Sequence, residues 1–377
     1  QMMKKSKKLF LTKTHTALQN LQRRVCDVGD NVQFSSIDSV TKSNESVDFD
    51  IVFVDECSTI DNRTMKALLE KIGEGTTLVL SGDIYQIESI DFGNWFYYAK
   101  DIISTKGSNI ELLHTWRTDK EELNSLWDEV REKRPIITEK LSMDGPFSED
   151  LGKGIFDLED DEVVLCLNYD GKFGLNNMNQ YFQNANTKSE EFSWAEWIFK
   201  IGDRIIFLDT RRSSLLYNNL KGTIVNIVKS ASSIVFTIDI KTYLTEEQCK
   251  HESFEYVENT DDGTRIKLEV IAWDDELSEE DRIKTVIPFQ IAYAISIHKA
   301  QGLEYKSVKV VIPSSNAERI THSIFYTAIT RAKEKLKIFW SAETMNAIVK
   351  SFTEQEVEHR TLQLIKDRMN LQDEWEN

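Results

Sequence analysis

Long apolar runs are missing from this sequence of 377 residues. No run approaches the roughly 20 residues that a membrane-spanning helix needs, so no membrane association is predicted. The first residues, QMMKKSKKLFLTK, carry charge but neither a long apolar core nor a small-residue cleavage site, which argues against a secretory signal. A hydrophobic share of 40% and a charged share of 29% are typical of a soluble globular protein. The length predicts about two or three domains.

Cysteine is also scarce. The four cysteines, Cys26, Cys57, Cys166 and Cys249, form no CxxC pair and have no histidine at metal-ligand spacing. We therefore expect neither a disulfide framework nor a zinc site, and this usage fits a reducing, cytoplasmic compartment. The sequence shows no nuclease metal cluster either, so any nuclease activity would lie outside the chain.

Basic residues are outnumbered, with 46 Lys and Arg against 63 Asp and Glu, for a net charge of -17. This balance weakly opposes nucleic-acid binding, because phosphate contacts need local cationic groups. A protein can still carry a basic groove on an acidic body, so net charge leaves the partner open. The acidic segments are 143–162, 246–262 and 274–281, and the basic clusters are 4–8, 23–24 and 211–212.

Strands and helices alternate in the first half of the chain. KKLFLT, FDIVFVDE and TTLVLSGD are apolar strand patterns, HTALQNLQRRV has helical spacing, and Asn62 is the predicted cap of the next helix. Such alternation predicts a parallel sheet with helices on both faces. A helix over residues 119–134 then precedes a linker over residues 141–160 that is rich in Pro, Gly and acid.

The pattern changes between residues 200 and 283. The β-branched runs GDRIIFL, GTIVNIV, SSIVFTIDI and IKLEVIAW, separated by turn-like or acidic segments, predict a small all-β insertion with a barrel form. The αβ pattern returns with IPFQIAYAISIHKAQG, a helix through residues 319–333 and the strand KLKIFW. Residues 346–377 form a polar helical tail in this interpretation.

Two neighbouring strands end in polar residues that suit phosphate chemistry. IVFVDEC places Asp55 and Glu56 at the end of an apolar strand, where one carboxylate can hold Mg²⁺ and the other can polarise water. SGDIYQ ends the next strand with Asp83 and Gln86, and ligands bind beyond the carboxyl ends of such strands. Each pattern alone is also a common structural strand end, but their spacing favours a nucleotide site.

Arginines and a glycine turn complete the set of candidate residues. Arg117, in LLHTWRT, is a candidate arginine finger, although an arginine before a helix is often a surface cap. SIHKAQGLEYKSVKVVI places His298, Lys299, Gly302 and Glu304 in a tight turn, and FYTAITRAKEKLKIF places Arg331 just before a strand.

In order along the chain, these elements resemble the motifs of superfamily 1 helicases. LTKTHTALQNL resembles motif Ia, VDEC motif II, GDIYQ motif III, WRT motif IV, HKAQGLE motif V and YTAITRAK motif VI. The segment GDRIIFLDTRRSSLLYNNLKGTIVNI resembles the RecD-like group, in which a small SH3-like barrel is inserted in the second motor domain.

The resemblance implies an α/β fold class: two RecA-like parallel-sheet P-loop NTPase domains with an SH3-like β-barrel insertion in the second. The first domain would cover residues 1–140, the second residues 161–199 and 284–345, and the insertion residues 200–283. ATP and Mg²⁺ would bind in the cleft between the two motor domains.

The resemblance also assigns expected roles to residues of the nucleotide site. Asp55 would hold Mg²⁺ through water and Glu56 would act as the base. Gln86 would sense the γ-phosphate, and Arg117 and Arg331 would stabilise the transition state, Arg331 from the second domain in trans. Gly302 and Glu304 would contribute to nucleotide binding.

The implied partner is single-stranded DNA, or RNA, with movement from 5′ to 3′. The residues expected to face the strand are Thr14, His15, His298 and Lys299, and nuclease or repair proteins are implied as further partners. Phe92 and Trp95 are candidate stacking groups, although such a pair is more often core. Arg211, Arg212 and Lys221 are candidate strand or duplex contacts, or else solvated charge.

The sequence departs from the family in one respect: it holds no phosphate-binding loop of the form GxxxxGK[ST]. That loop cradles the β and γ phosphates with backbone N–H groups and a lysine, and the GKFG at residues 171–174 has the wrong spacing to replace it. We expect the natural protein to carry the loop upstream and the fragment alone to be inactive. Two hypotheses remain: an ATP-dependent helicase in its full-length form, or a catalytically incomplete helicase-like module that binds nucleic acid or protein.

Overall fold

The computed structural model describes most of the chain, namely residues 5–14, 17–18, 21–22, 25, 29, 31–43, 46–89, 93–103, 108–112, 115–187, 189–208, 211–353 and 357–368. The chain divides into two compact units. Unit 1 consists of residues 1–151 and 312–377, and unit 2 consists of residues 152–311. The sequence placed the residues beyond 312 in a second motor domain, and that assignment of domains stays a prediction.

The strands are β1 (Lys8–Thr12), β2 (Val32–Ser36), β3 (Ile51–Val54), β4 (Thr77–Leu80), β5 (Ser148–Glu149), β6 (Glu162–Cys166), β7 (Glu191–Trp194), β8 (Trp197–Lys200), β9 (Arg204–Phe207), β10 (Lys221–Lys229), β11 (Ser233–Ile240), β12 (Glu255–Thr260), β13 (Gly263–Ile271), β14 (Phe289–Ile291), β15 (Ala294–Ser296), β16 (Tyr305–Val311) and β17 (Ala332–Phe339). The helices are α1 (Ile37–Lys42), α2 (Asn62–Leu69), α3 (Trp95–Ile102), α4 (Glu121–Arg131), α5 (Ile137–Lys140), α6 (Leu175–Ala185), α7 (Glu246–Cys249), α8 (Glu279–Lys284), α9 (His322–Ile329), α10 (Ala342–Thr353) and α11 (Val357–Arg368).

Unit 1 contains the predicted parallel sheet, with strand order β2-β1-β3-β4. Leu11 of β1 lies opposite Val54 of β3, and Val54 lies opposite Leu80 of β4. The central strands are apolar because helices cover parallel sheets on both faces. Leu11 and Val54 are buried together with Ile37 of α1 and Leu68 of α2, which forms the core of this part of the unit. The prediction of parallel strands is confirmed, and β2, which the sequence did not single out, adds an edge.

Several predicted boundaries are wrong by a few residues, each for a local reason. Asp61, not Asn62, caps α2, because its carboxylate oxygen Oδ1 accepts the backbone N–H of Thr64 at 2.8 Å. The helix predicted over residues 119–134 ends at Arg131. The part of the predicted linker around Ser148 is ordered as β5, which pairs with β17 in parallel.

The helix predicted over residues 319–333 is shorter than expected. Thr321 caps α9 by accepting the N–H of Ile324, and the helix ends at Ile329. The strand β17 then begins at Ala332, ahead of the predicted KLKIFW. Arg331 therefore lies in the junction between a helix and a strand rather than within a helix.

Unit 2 combines a small parallel sheet with an antiparallel one. β6 lies between β15 and β16 and pairs in parallel with both. The antiparallel sheet has the strand order β12-β13-β11-β10-β9-β14, and its apolar face packs around Phe236 and Phe289. The predicted β-rich segment is thus present, but it also contains the short helices α7 and α8, so it is not all-β. The strand β12 was not expected, since it lies in the acidic stretch over residues 246–262. A mostly exposed, charged strand suits the edge of a sheet, where it discourages further pairing.

Asp203 is a fully buried carboxylate in unit 2, in the turn between β8 and β9. It accepts hydrogen bonds from Gln183 Nε2 at 2.6 Å, from the Lys200 backbone N–H at 2.7 Å and from the Tyr293 hydroxyl at 2.9 Å. Burial raises the pKa of Asp203 above the ordinary aspartate value, and these hydrogen bonds offset only part of that rise. The folded state therefore holds this proton more tightly than the unfolded state.

A pH-dependent contribution to stability follows for Asp203. Because its folded pKa is raised, the stabilisation is complete below the unfolded pKa of about 3.9 and is lost as pH rises through the folded pKa. We expect the unfolding free energy of Asp203→Asn, relative to wild type, to increase as pH rises from about 4 towards neutrality. Urea denaturation over a pH series measures this difference, with the exposed Asp261→Asn as control. A difference that is constant with pH, or falls, would contradict the prediction.

Among the described helices, none combines the length and apolar character needed to cross a bilayer. Cys57, Cys166 and Cys249 are buried free thiols, and burial raises the pKa of Cys57 and of Cys166 to about 12. Cys26 lies outside the described residues.

Candidate nucleotide site

The carboxyl ends of β1, β3 and β4 meet at one edge of the sheet in unit 1, and the chain segments that follow them are hydrogen-bonded to one another. The N–H of Asp55, just after β3, donates to Leu11 O at 2.9 Å. The N–H of Cys57 donates to Ser81 O, just after β4, also at 2.9 Å. The loops that carry Asp55, Glu56 and Gln86 therefore leave the sheet side by side, as expected for a parallel arrangement.

Glu56 has a left-handed backbone conformation, with φ 55° and ψ 43°. This region is uncommon for residues with a side chain, and it persists where the surroundings hold it. Here the Thr59 hydroxyl donates to Glu56 O at 2.7 Å, and the Cys57 N–H is bound by Ser81 O. The turn directs the chain abruptly from β3 into the 3-10 helix at Cys57–Thr59.

Two anionic and two cationic side chains affect the pKa of the Glu56 carboxyl. Burial and the neighbouring charge of Asp55 raise its pKa, and Asp83 adds to that rise. The guanidinium groups of Arg331 and Arg117 lower the pKa, and the net effect is a raised value. Both arginines therefore lie close enough to Glu56 to act on it electrostatically, although they come from distant parts of the sequence.

The loop after β4 turns its polar groups onto Asp83. Asp83 accepts the Tyr85 N–H through Oδ1 and Gln86 Nε2 through Oδ2, both at 3.0 Å. Gln86 is buried. A Cβ on Gly82 would lie 2.7 Å from a ring carbon of Phe96 in α3 and 3.1 Å from the backbone nitrogen of Cys57, so glycine fits where this loop passes both.

Arg331 is nearly inaccessible, with 1% of its surface exposed. Its Nε donates to Thr327 O at 2.9 Å, and its Nη2 donates to Thr330 Oγ1 at 3.1 Å. Arg117 reaches the same place, where its Nη1 donates to Thr330 O at 2.9 Å. Arg331 and Glu56 both lie in unit 1. The role of Arg331 in trans from a second motor domain stays a prediction.

The candidate residues of motif V lie in unit 2, between β15 and β16. His298 is exposed on one side, and partial burial of its ring lowers its pKa. Lys299 Nζ donates to Gln290 Oε1 at 3.0 Å. Gly302 has φ +78°, and a Cβ there would meet open space. Glu304 O accepts Lys221 Nζ at 2.8 Å.

Two of the remaining candidates, Thr14 and Trp95, lie among the described residues. Thr14 is exposed and accepts the Ala17 N–H through its hydroxyl at 3.2 Å, whereas His15 and Phe92 lie outside the described residues. Trp95 packs against the core of unit 1, and its indole N–H donates to Ile60 O, which agrees with the core alternative.

The basic residues of the inserted segment are less available than the sequence suggested. Arg212 is buried and donates to the carbonyl oxygens of Ile283, Glu269 and Lys284. Lys221 Nζ binds Asp161 at 3.2 Å and lies 3.5 Å from the centre of the Tyr305 ring. Both cations are engaged within unit 2 rather than presented as a solvated run.

Among the described residues there is no group of three His, Cys, Asp or Glu side chains that could enclose a metal ion. Mg²⁺ needs no such cage, because it binds through one or two carboxylates, several waters and substrate phosphates. Asp55 precedes Glu56, the carboxyl on which the guanidinium groups of Arg331 and Arg117 act, and this setting fits that mode of binding.

Comparison with known proteins finds two family models and several relatives that match this chain. The family model described as UvrD-like helicase C-terminal domain matches residues 291–338, and the one described as AAA domain matches residues 9–146. The chain is 23% identical to the RecBCD enzyme subunit RecD of Buchnera aphidicola subsp. Acyrthosiphon pisum, over 82% of this chain and 56% of that protein. It is 24% identical to RecD of Haemophilus influenzae, over 79% of this chain and 52% of that protein.

These matches show that the chain is similar to RecD-like helicases of superfamily 1. It spans about half the length of these RecD proteins. In three dimensions this RecD-like chain has the fold of Bacteroides Pif1 in its crystal structure bound to ssDNA, with a TM-score of 0.53 and 12% identity over 98% of this chain and 96% of that one. The mixed α/β fold with parallel sheets is thus shared with Pif1.

Sequence reasoning missed Thr327 and Thr330, which hold the two arginines. Both lie in the quoted motif YTAITRAK, but Thr327 binds Arg331 through its backbone carbonyl, so only the Thr330 hydroxyl, directly before the arginine, leaves a signal in the sequence. Their contacts with Arg117 and with the Ile87 N–H could not be predicted, because these partners are more than two hundred residues away in the sequence.

Proposed function

We propose that this chain is the motor portion of an ATP-dependent helicase or translocase, which couples ATP hydrolysis to movement on single-stranded DNA or RNA. One arrangement carries the proposal: Thr327 and Thr330 bind Arg117, Arg331 and the loop that follows Gln86, and the two guanidinium groups lower the pKa of the Glu56 carboxyl. A base for water beside two cations for phosphate charge is the arrangement that phosphoryl transfer to water needs.

The roles of the residues follow from the chemistry. Asp55 would bind Mg²⁺ through water, and the ion when bound would neutralise charge on the phosphate oxygens. Glu56, whose pKa burial raises, would accept the proton of the attacking water. Gln86 would leave Asp83 to contact the γ-phosphate. Arg117 and Arg331 would stabilise charge that builds on the transferring group, because a planar guanidinium binds two oxygens at once.

We further propose that Thr14, His15, His298 and Lys299 contact the nucleic-acid strand. A motor needs two separate grips, and these residues belong to unit 1 and unit 2 respectively. The exposed positions of Thr14 and His298 support this assignment. Gly302 and Glu304 would contribute to the nucleotide site from motif V. Similarity to a Bacteroides Pif1 bound to ssDNA and to the ATP-dependent RecD2 DNA helicase of Deinococcus radiodurans supports DNA as the strand.

The proposed domain organisation is two RecA-like domains with an SH3-like insertion over residues 200–283. The antiparallel sheet that holds β9, β10, β11 and β13 supports a compact β module at this position. Movement from 5′ to 3′, which the resemblance to the RecD-like group implies, is part of the proposal.

ATP hydrolysis by the full-length protein tests the proposal. We expect turnover that rises strongly when single-stranded DNA is added, and parallel measurements with single-stranded RNA identify the preferred strand. Strand binding without any ATP turnover would instead support the alternative, a helicase-like module that binds nucleic acid or protein. Unwinding of duplexes with either a 5′ or a 3′ single-stranded tail then tests the direction.

A further inference from the structure

Two threonines at the C-terminal end of α9, Thr327 and Thr330, bind both candidate arginines. The Thr330 carbonyl accepts Arg117 Nη1 at 2.9 Å, and the Thr330 hydroxyl accepts Arg331 Nη2 at 3.1 Å. The Thr327 carbonyl accepts Arg331 Nε at 2.9 Å. Thr327 and Thr330 are both buried, with 0% and 2% of their surfaces exposed. These contacts all lie within unit 1.

The position of the Thr330 hydroxyl explains why it serves Arg331 as an acceptor. Its oxygen lies 2.9 Å from Tyr326 O and 3.1 Å from Thr327 O, and either carbonyl can take its single proton. The lone pairs of the oxygen are then left for Arg331 Nη2. A threonine hydroxyl that bonds back to the preceding helical turn has a fixed rotamer, so its acceptor direction is fixed as well.

The same helix end also holds the loop after β4. The Ile87 N–H, next to Gln86, donates to Thr327 Oγ1 at 2.9 Å. Thr327 therefore binds the motif III loop through its side chain and Arg331 through its carbonyl. The Ile87 N–H, Arg117 and Arg331 therefore all bind to the short segment between Thr327 and Thr330.

We propose that Thr330 is a positioning residue for the ATPase site, one that orients Arg331 through its hydroxyl and Arg117 through its carbonyl. The inference rests on the proposed function. Thr330 itself contacts neither substrate nor metal in this scheme. Its effect is to hold two long, flexible side chains in place before the reaction, so that their ordering costs nothing during the chemical step.

Replacement of the hydroxyl alone tests this role. Thr330→Val keeps the size and β-branching of the residue and retains the carbonyl that binds Arg117, but it removes the acceptor of Arg331 Nη2. In the full-length protein we expect kcat for strand-stimulated ATP hydrolysis to fall by about 10- to 100-fold, as for loss of a hydrogen bond to a charged group. The KM for ATP should not change, and Thr330→Ser, which keeps the hydroxyl, should restore kcat.

Two controls separate positioning from folding. Thr344→Val removes another buried threonine hydroxyl of unit 1, one that binds Ser341 Oγ, and should leave kcat unchanged. Should Thr330→Val melt below the assay temperature, Thr330→Ala takes its place with the same expected split between kcat and KM. A kcat of Thr330→Val equal to that of wild type, or a Ser variant as impaired as the Val variant, would overturn the inference.

A double variant shows whether Thr330 acts through Arg331. If it does, Thr330→Val should lower kcat no further in a protein that already carries Arg331→Ala, because the two changes remove one interaction. Additive losses would overturn the inference while leaving the proposed function intact. Wild-type turnover in Arg331→Ala itself would overturn the proposed function, and the inference with it.

Discussion

Arg331→Ala is expected to lower strand-stimulated ATP turnover by about 10³-fold or more, the loss seen when an arginine finger is removed. The reason is electrostatic: Arg331 acts on the Glu56 carboxyl from within unit 1, and its guanidinium supplies a fixed planar cation. Arg331→Lys should recover part of the activity, because lysine keeps the charge but loses the fork that binds two oxygens. Steady-state ATPase assays of the full-length protein measure both variants.

Loss of Arg331 also affects packing, since the side chain is buried and bound to Thr327 and Thr330. Thermal melting and strand binding must therefore be measured beside turnover. Arg265→Ala is a suitable control, because that guanidinium is held by Asp239 at 2.6 and 2.9 Å on the antiparallel sheet of unit 2. A loss of less than about tenfold for Arg331→Ala, in a protein that is still folded, would remove the arginine from the proposed role.

Glu56→Gln is expected to abolish strand-stimulated turnover, with a loss of about 10²- to 10⁴-fold, and to leave strand binding intact. Glutamine has the shape of glutamate but cannot accept the proton of the attacking water. Burial already raises the pKa of Glu56 and so disfavours its charged form, and the neutral amide should therefore not weaken the fold. ATPase assays and binding of a labelled single strand, on the same preparation, give the two readouts.

The matched control for Glu56→Gln is Glu70→Gln, an exposed glutamate at the end of α2 that pairs with Lys66. It should hydrolyse ATP as the wild type does. Normal turnover by Glu56→Gln would remove Glu56 from its role as base and would leave Asp55 and Asp83 as the carboxylates to test next.

The parallel sheet of unit 1 could be predicted because its strands are short apolar runs that end in polar motifs. The placement of the ends of β3 and β4 at the same sheet edge follows from that pattern, whereas the strand order β2-β1-β3-β4 was not predicted. The strand β12 could not be predicted in this way, because its residues are mostly polar and its pairing with β13 supplies the regularity that its sequence lacks.

The shared sheet edge of the loops that carry Glu56 and Gln86 followed from neighbouring strand ends, but the network around Arg117 and Arg331 did not. Its hydrogen bonds join residues more than two hundred positions apart, and a single sequence carries no periodic signal for such contacts. The N-cap of α2 could not be predicted from the sequence either. Asp61 and Asn62 are both good capping residues, and the backbone geometry decides in favour of Asp61.

The left-handed backbone at Glu56 has a consequence for how this protein can adapt to heat. A side chain in that conformation costs on the order of 1–3 kcal/mol, and glycine would relieve much of that cost. Relief by that route removes the carboxylate that the proposed chemistry requires. Thermal robustness and turnover therefore oppose each other at this position, and a more heat-resistant version of the protein has to gain its stability at other residues.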